Sequence, residues 1–164
     1  MERCPLLNNI AKVTDNIWIG NSDAEKTVGR TQPPINCVLV VAHDMVPTNN
    51  WRRRAEEYMQ VGLIDGPGNP LAAYHAAVLA LATLVRRREN CRILVCDHGG
   101  GRSLAVVVMY LYLVGDGPSW DECIERLKVR EKDLPTVHDM HRKAFFLMDW
   151  SMLSRVLDGE VSDG

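Results

Sequence analysis

The chain has 164 residues, 46% of them hydrophobic and 24% charged, which is the length of one compact unit and the composition of an ordinary folded one. Nineteen basic residues against 21 acidic ones give a formal charge of −2, so nothing drives the chain as a whole toward nucleic acid or an anionic membrane surface. Any anion recognition has to be local. One domain over 1–164 is expected, with its core at about 13–157 between a short N-terminal lead and a polar C-terminal tail.

The predicted elements follow in chain order. Val13 to Ile19 alternates loosely and stops at Gly20-Asn21, which predicts a strand and a turn. Ile35 to Ala42, introduced by Pro33-Pro34, is almost unbroken β-branched sequence and predicts a buried strand. Tyr58 to Ile64 predicts another, halted by Asp65-Gly66-Pro67-Gly68. A helix to about Arg88 then opens at Asn69-Pro70, with Asn69 as N-cap and Leu71, Tyr74, Val78, Leu81 and Val85 on one face.

Arg92 to Val95 is a short apolar strand that feeds directly into Cys96-Asp97-His98-Gly99-Gly100-Gly101-Arg102-Ser103. Three consecutive valines in the next segment, Leu104 to Val114, favour a strand by propensity. Its length, its apolar character on every side and its glycine-rich entry predict a buried helix instead. Ser119 and Glu122 form a capping box for a helix carrying Trp120, Cys123, Ile124 and Leu127, ended by Pro135. Val137, Met140, Ala144, Phe145 and Met148 mark a last helix to about Leu157. Strands separated by helices predict an α/β fold: a central, mainly parallel sheet of about four or five strands with helices on both faces. Ligands in such sheets bind beyond the carboxyl ends of the strands, and the loop at 96–102 lies at such an end.

The five cysteines (Cys4, Cys37, Cys91, Cys96 and Cys123) show neither a disulfide framework nor zinc-ligand spacing. No metal or cofactor is expected. The N-terminus lacks a charged region followed by an apolar one, and the longest apolar run is far short of the ~20 residues of a membrane span. A reducing cytosolic or nuclear setting is therefore expected, and no membrane partner. The basic runs Arg52-Arg53-Arg54 and Arg86-Arg87-Arg88 read as solvated faces. A monomer is expected.

The eight residues from Cys96 to Ser103 carry the chemistry. A cysteine at a strand tip, six residues before an arginine that begins a helix, overlooks a nest of backbone N–H groups. Gly99, Gly100 and Gly101 let the backbone curl, and the helix N-terminus adds its positive end. The amides of Asp97, His98, Gly99, Gly100 and Gly101, with Arg102, would bind a phosphate group. The same field would depress the Cys96 thiol and make it a nucleophile. Arg102 can hold two phosphate oxygens with its planar fork and stabilise charge in the transition state. Ser103 either donates its hydroxyl toward the Cys96 sulfur or satisfies backbone groups of the first helical turn.

A phosphate ester also needs its leaving oxygen protonated, an effect of roughly 10² to 10⁴ in rate. Asp65 is the candidate acid, because its loop follows the third buried strand and emerges at the same sheet edge as the cysteine loop; the alternative is an ordinary turn aspartate. Asp97 is nearer in sequence, but its side chain is expected to project away from a cradle of backbone amides. His98 contacts substrate or simply meets solvent. His43-Asp44 ends the second buried strand, on the rim of the same edge. The other cysteines read as packing residues.

Cys96, Arg102 and Ser103 match the Cys-x5-Arg-Ser/Thr motif of the protein tyrosine phosphatase superfamily, which the chain resembles over about residues 13–150. A rhodanese-like sulfurtransferase loop is one residue shorter. Within the superfamily the chain resembles a compact dual-specificity phosphatase: Asn16 to Asn21 is similar to its early strand, Cys37 to Asp44 to its next, and Asp65 falls about thirty residues before Cys96, where the acid belongs. The resemblance implies a metal-free, two-step mechanism through a phosphocysteine, with Asp65 as acid and then base. It also implies a shallow pocket for phosphotyrosine and phosphoserine or phosphothreonine in a protein or peptide partner. Two departures stand out. Val95 occupies the place of the histidine that precedes the family's nucleophile, and the acidic Asp97 follows Cys96. The alternatives to an active protein phosphatase are a phospho-binding module of low turnover and a phosphatase of a non-protein phosphate ester.

Overall fold

The computed structural model describes residues 10–28, 34–46, 55–87, 90–131 and 134–159. Five strands form one sheet: β1 (Ile10–Lys12), β2 (Ile17–Gly20), β3 (Cys37–Val40), β4 (Glu57–Gln60) and β5 (Ile93–Cys96), in the spatial order β1-β2-β5-β3-β4. Only the β1/β2 pairing is antiparallel, and β2/β5, β5/β3 and β3/β4 are parallel. This is the mainly parallel α/β arrangement that the alternation of strands and helices predicts. β5 lies at the centre and is buried along its whole length, as a run of apolar residues covered on both faces must be.

Alternation along the strands divides the core. Ile17, Ile19, Leu39, Ile93 and Val95 pack with the five helices α1 (Leu71–Arg87), α2 (Gly101–Leu113), α3 (Trp120–Arg130), α4 (Asp139–Leu147) and α5 (Trp150–Leu157). Trp18, Val38, Val40, Leu94 and Cys96 face the other way, because successive side chains of a strand leave opposite faces. Ala24, from a 3₁₀ segment over Ser22–Thr27, covers that face together with Val28, Ile35, Ala42 and Met45. In α2 the three valines at 106, 107 and 108 are all 0% exposed. Burial on every side, rather than intrinsic propensity, decides their conformation.

The structure differs from the sequence reading at several boundaries. The first expected strand is a hairpin, with Thr14 to Asn16 turning between β1 and β2 and the Val13 N–H donating to the Ile17 carbonyl over 2.9 Å. The last expected helix is two, because Met148 is extended and the Asp149 carboxylate accepts the Met152 N–H over 3.0 Å, starting α5 afresh. The Ser119 cap is formed, accepting the Glu122 N–H over 3.2 Å, but α3 stops at Arg130, before Pro135. Asn69 spends its side-chain oxygen on the Ile64 N–H and not on a backbone N–H of the first turn of α1. Cys37, Cys91 and Cys123 are buried, with 3.2 Å between the Cys37 and Cys91 sulfurs. Arg86 and Arg87 are exposed, Arg87 lying 3.4 Å from Glu57. Cys4, Pro33, the run Arg52-Arg53-Arg54, Arg88 and the tail beyond 159 lie outside the described residues.

One close contact seats α2 against the chain that follows α3. A Cβ on Gly101 would stand 2.7 Å from the Thr136 carbonyl oxygen, a backbone atom that cannot swing aside. Gly101→Ala should cost about 1–3 kcal/mol through overpacking, read as a lower midpoint in denaturant with an unchanged slope.

Candidate active site

Cys96 belongs to the strand and not to the loop. It pairs with Gly20 and Val40, its carbonyl accepts the Val41 N–H over 2.9 Å, and the Asp97 N–H continues the ladder to the Gly20 carbonyl over 3.2 Å. Its side chain therefore falls on the face of Trp18, Val38 and Leu94. The sulfur is 0% exposed and lies 3.8 Å from the Leu39 carbonyl oxygen. Burial, and after it the negative charge of Asp97, pushes the thiol well above its ordinary range. The expectation of a depressed thiol facing the cradle is the reverse of what this conformation holds.

Asp97 stands in the cradle instead. Its carboxylate, 2% exposed, accepts the Arg102 backbone N–H over 2.9 Å and the Arg102 Nε–H over 3.2 Å on one oxygen, and the Ser103 hydroxyl over 2.9 Å on the other. The expectation that this side chain projects away is corrected, for a simple reason. With Cys96 turned to one face of the strand, the next residue turns to the other, toward the positive first turn of α2. The Ser103 hydroxyl thus meets a carboxylate and not a sulfur.

Arg102 is 3% exposed and donates to acceptors on three segments. Besides Asp97, its Nη1 donates to the Asp44 carboxylate over 3.1 Å and to the Leu63 carbonyl over 2.8 Å. Partial burial alone would raise the Asp44 carboxyl, but its own backbone N–H and the bond and charge of Arg102 hold it below its ordinary value. Gly100 takes φ +87° immediately before α2 and supplies no side-chain cap; the Asp97 carboxylate, five residues before Arg102, fills that role. Gly99 is exposed and Gly100 buried. His98 is exposed, its Nε2 lying 3.1 Å from the Asp44 carbonyl oxygen and 3.5 Å from the Asp44 carboxylate, and His43 Nδ1 is 3.2 Å from the Leu63 carbonyl oxygen. The rim residues His43 and Asp44 therefore border the cradle.

The Asp65 loop reaches the same edge of the sheet, because Leu63, two residues before Asp65, is held by Arg102. The Asp65 side chain is 58% exposed, and its Oδ1 lies 3.2 Å from His141 Nε2 on α4. His141 itself is fully buried. The sequence reading passes over it, although it falls beside Met140, Ala144 and Phe145 on the apolar stripe of its helix, where a polar side chain needs a partner.

No protein-family model matches the chain. Over 105 residues it is 27% identical to dual specificity protein phosphatase 14 of Bos taurus and 26% identical to the Homo sapiens protein of that name; each alignment covers 64% of this chain and 52% of the relative. The chain spans about half the length of the curated relatives it matches. Among solved structures, the crystal structure of DUSP15 superposes with a TM-score of 0.71 at 17% identity, covering 94% of this chain and 98% of that one. Human DUSP28 gives 0.66 at 18% identity, covering 95% and 99%.

In sequence the chain is similar to dual specificity protein phosphatase 14, and in fold it matches the compact solved structures of that type.

The donors that Asp97 occupies are those the sequence reading expects to hold a phosphate group, and this gives a test. Asp97→Ala removes one partner of a buried ion pair, a loss of about 3–5 kcal/mol. Inorganic phosphate bound at a hundred times its Kd would return about 2.7 kcal/mol. The variant should melt lower than wild type in phosphate-free buffer and climb steeply as phosphate is added, while wild type moves little. Equal responses would show that the carboxylate does not hold the anion's place.

Proposed function

We propose that the chain is a cysteine-dependent phosphatase of phosphotyrosine and phosphoserine or phosphothreonine in proteins, with its phosphate loop closed on its own carboxylate in the conformation described. One observation carries the reading: Arg102 and Ser103, at the start of α2, already clasp an anion through a backbone N–H, a guanidinium and a hydroxyl. Those are the donors a phosphoryl group would take. The spacing from Cys96 to Arg102 is that of the family motif, and the relatives are named protein phosphatases.

In turnover, the dianion of a phosphorylated side chain displaces the single charge of Asp97 from Arg102, and the loop turns the Cys96 sulfur toward phosphorus. The amides of Asp97, His98, Gly99, Gly100 and Gly101 line the remaining phosphate oxygens. There the helix N-terminus and Arg102 favour the thiolate, and the thiol gives up its proton to water; the thiolate attacks phosphorus, the ester bond breaks, and Asp65 gives its proton to the leaving oxygen. Water then cleaves the phosphocysteine, passing a proton back to Asp65, while Ser103 donates to the departing sulfur. The partner is a phosphorylated protein or peptide, with neither nucleic acid nor membrane involved, and the setting is the cytosol or nucleus. None of the described helices is long and apolar enough to cross a membrane.

A second reading, a phospho-binding module without turnover, is favoured by the complete burial of Cys96 and its raised thiol. Hydrolysis of an aryl phosphate without added metal separates the two. The phosphatase reading expects a rate that Cys96→Ser abolishes and that Asp65→Asn lowers by about 10² or more. Wild type that binds a phosphopeptide yet turns over no faster than Cys96→Ser would establish the module instead.

A further inference from the structure

The Asp65 loop is closed on itself by a circuit of hydrogen bonds. The Ile64 N–H donates to Asn69 Oδ1 over 2.8 Å, and Asn69 Nδ2 donates both to the Ile64 carbonyl over 2.7 Å and to the Tyr74 hydroxyl over 3.2 Å. Tyr74 Oη lies 2.7 Å from His141 Nδ1, and His141 Nε2 lies 3.2 Å from Asp65 Oδ1. Three elements meet in it: the loop, α1 through Tyr74 and α4 through His141. Tyr74 and His141 are both buried.

The donors order themselves along this path. Asn69 Nδ2 has only protons to offer, so the Tyr74 oxygen accepts there and its own proton is free for His141 Nδ1. An imidazole that accepts at Nδ1 and stays neutral carries its proton on Nε2, which therefore donates to Asp65. Burial favours the neutral ring, outweighing the upward pull of Asp65, and the charges of His138 and Arg102 act in the same direction as burial. Burial likewise raises the Tyr74 phenol, which keeps its proton.

We infer that His141 is the positioning residue of the acid step: its Nε2–H fixes Asp65 Oδ1, so that Oδ2 is the oxygen presented to the leaving group. This rests on the phosphatase reading above and adds to it the group that aims the acid. Asp65 is largely exposed and is followed by Gly66 and Gly68, which take φ of 155° and 111°. Without the His141 contact its carboxylate would sample many orientations, and proton transfer demands one.

The test compares phenyl phosphate, whose leaving oxygen must be protonated, with para-nitrophenyl phosphate, which leaves readily without help. In His141→Ala, kcat/KM on the phenyl ester, which reports the steps up to loss of the leaving group, should fall about 10- to 100-fold, within the range that general acids supply, and kcat/KM on the nitrophenyl ester by less than about threefold. His141→Gln, whose amide nitrogen can reach Asp65, should restore most of the phenyl ester rate. Nitrogen NMR shifts of wild type should place the His141 proton on Nε2, and Tyr74→Phe should disturb that signal. Equal slowing of the two esters, or a proton on Nδ1 in wild type, would overturn the inference while leaving the phosphatase reading intact. Absence of any wild-type turnover would remove the phosphatase reading and this catalytic role with it, and the proton position would then report on the circuit alone.

Discussion

The burial of Arg102 governs the architecture around it. A guanidinium does not give up its proton in a protein, so a side chain only 3% exposed must be surrounded by acceptors. Asp97 comes from the end of β5, Asp44 from the turn after β3 and the Leu63 carbonyl from the segment after β4. Three adjacent strands thus converge at their carboxyl ends on one cation carried by the first turn of α2. The crevice expected at that edge of a parallel sheet is, in this conformation, a filled ion pair.

The fold was largely legible because its signals are local and redundant. Apolar runs at 37–40 and 93–96, a capped helix after Ser119 and the glycine-rich entry to α2 agree with one another and with the observed order. The errors lie where a polar side chain chose between equivalent partners. Asn69 could cap α1 but binds the Ile64 backbone, and Asp149 breaks a continuous apolar stripe by capping α5. Such choices depend on which donors the tertiary structure leaves unsatisfied, and a linear sequence does not list them.

The placement of the candidate residues was legible in the sequence, but their orientation was not. Arg102, Ser103, Asp97 and Asp65 are all at the expected sheet edge, whereas the sulfur of Cys96 is on the far face. Cysteine is as good a core residue as valine, so Ile-Leu-Val-Cys carries no mark of where the strand ends. His141 escaped notice for a different reason: its partners lie 67 and 76 residues away, at Tyr74 and Asp65.

The ladder at the end of β5 sets the terms on which acid and thiol can exchange. Neighbouring residues of an extended chain cannot look the same way, so Asp97 and Cys96 are mutually exclusive occupants of one spot. Bringing sulfur in requires the strand to finish one residue sooner. That releases the bonds from Val41 N–H to the Cys96 carbonyl and from Asp97 N–H to the Gly20 carbonyl, which lie on opposite edges of the central strand. The exchange that the proposed mechanism calls for would therefore unzip two rungs rather than rotate one side chain.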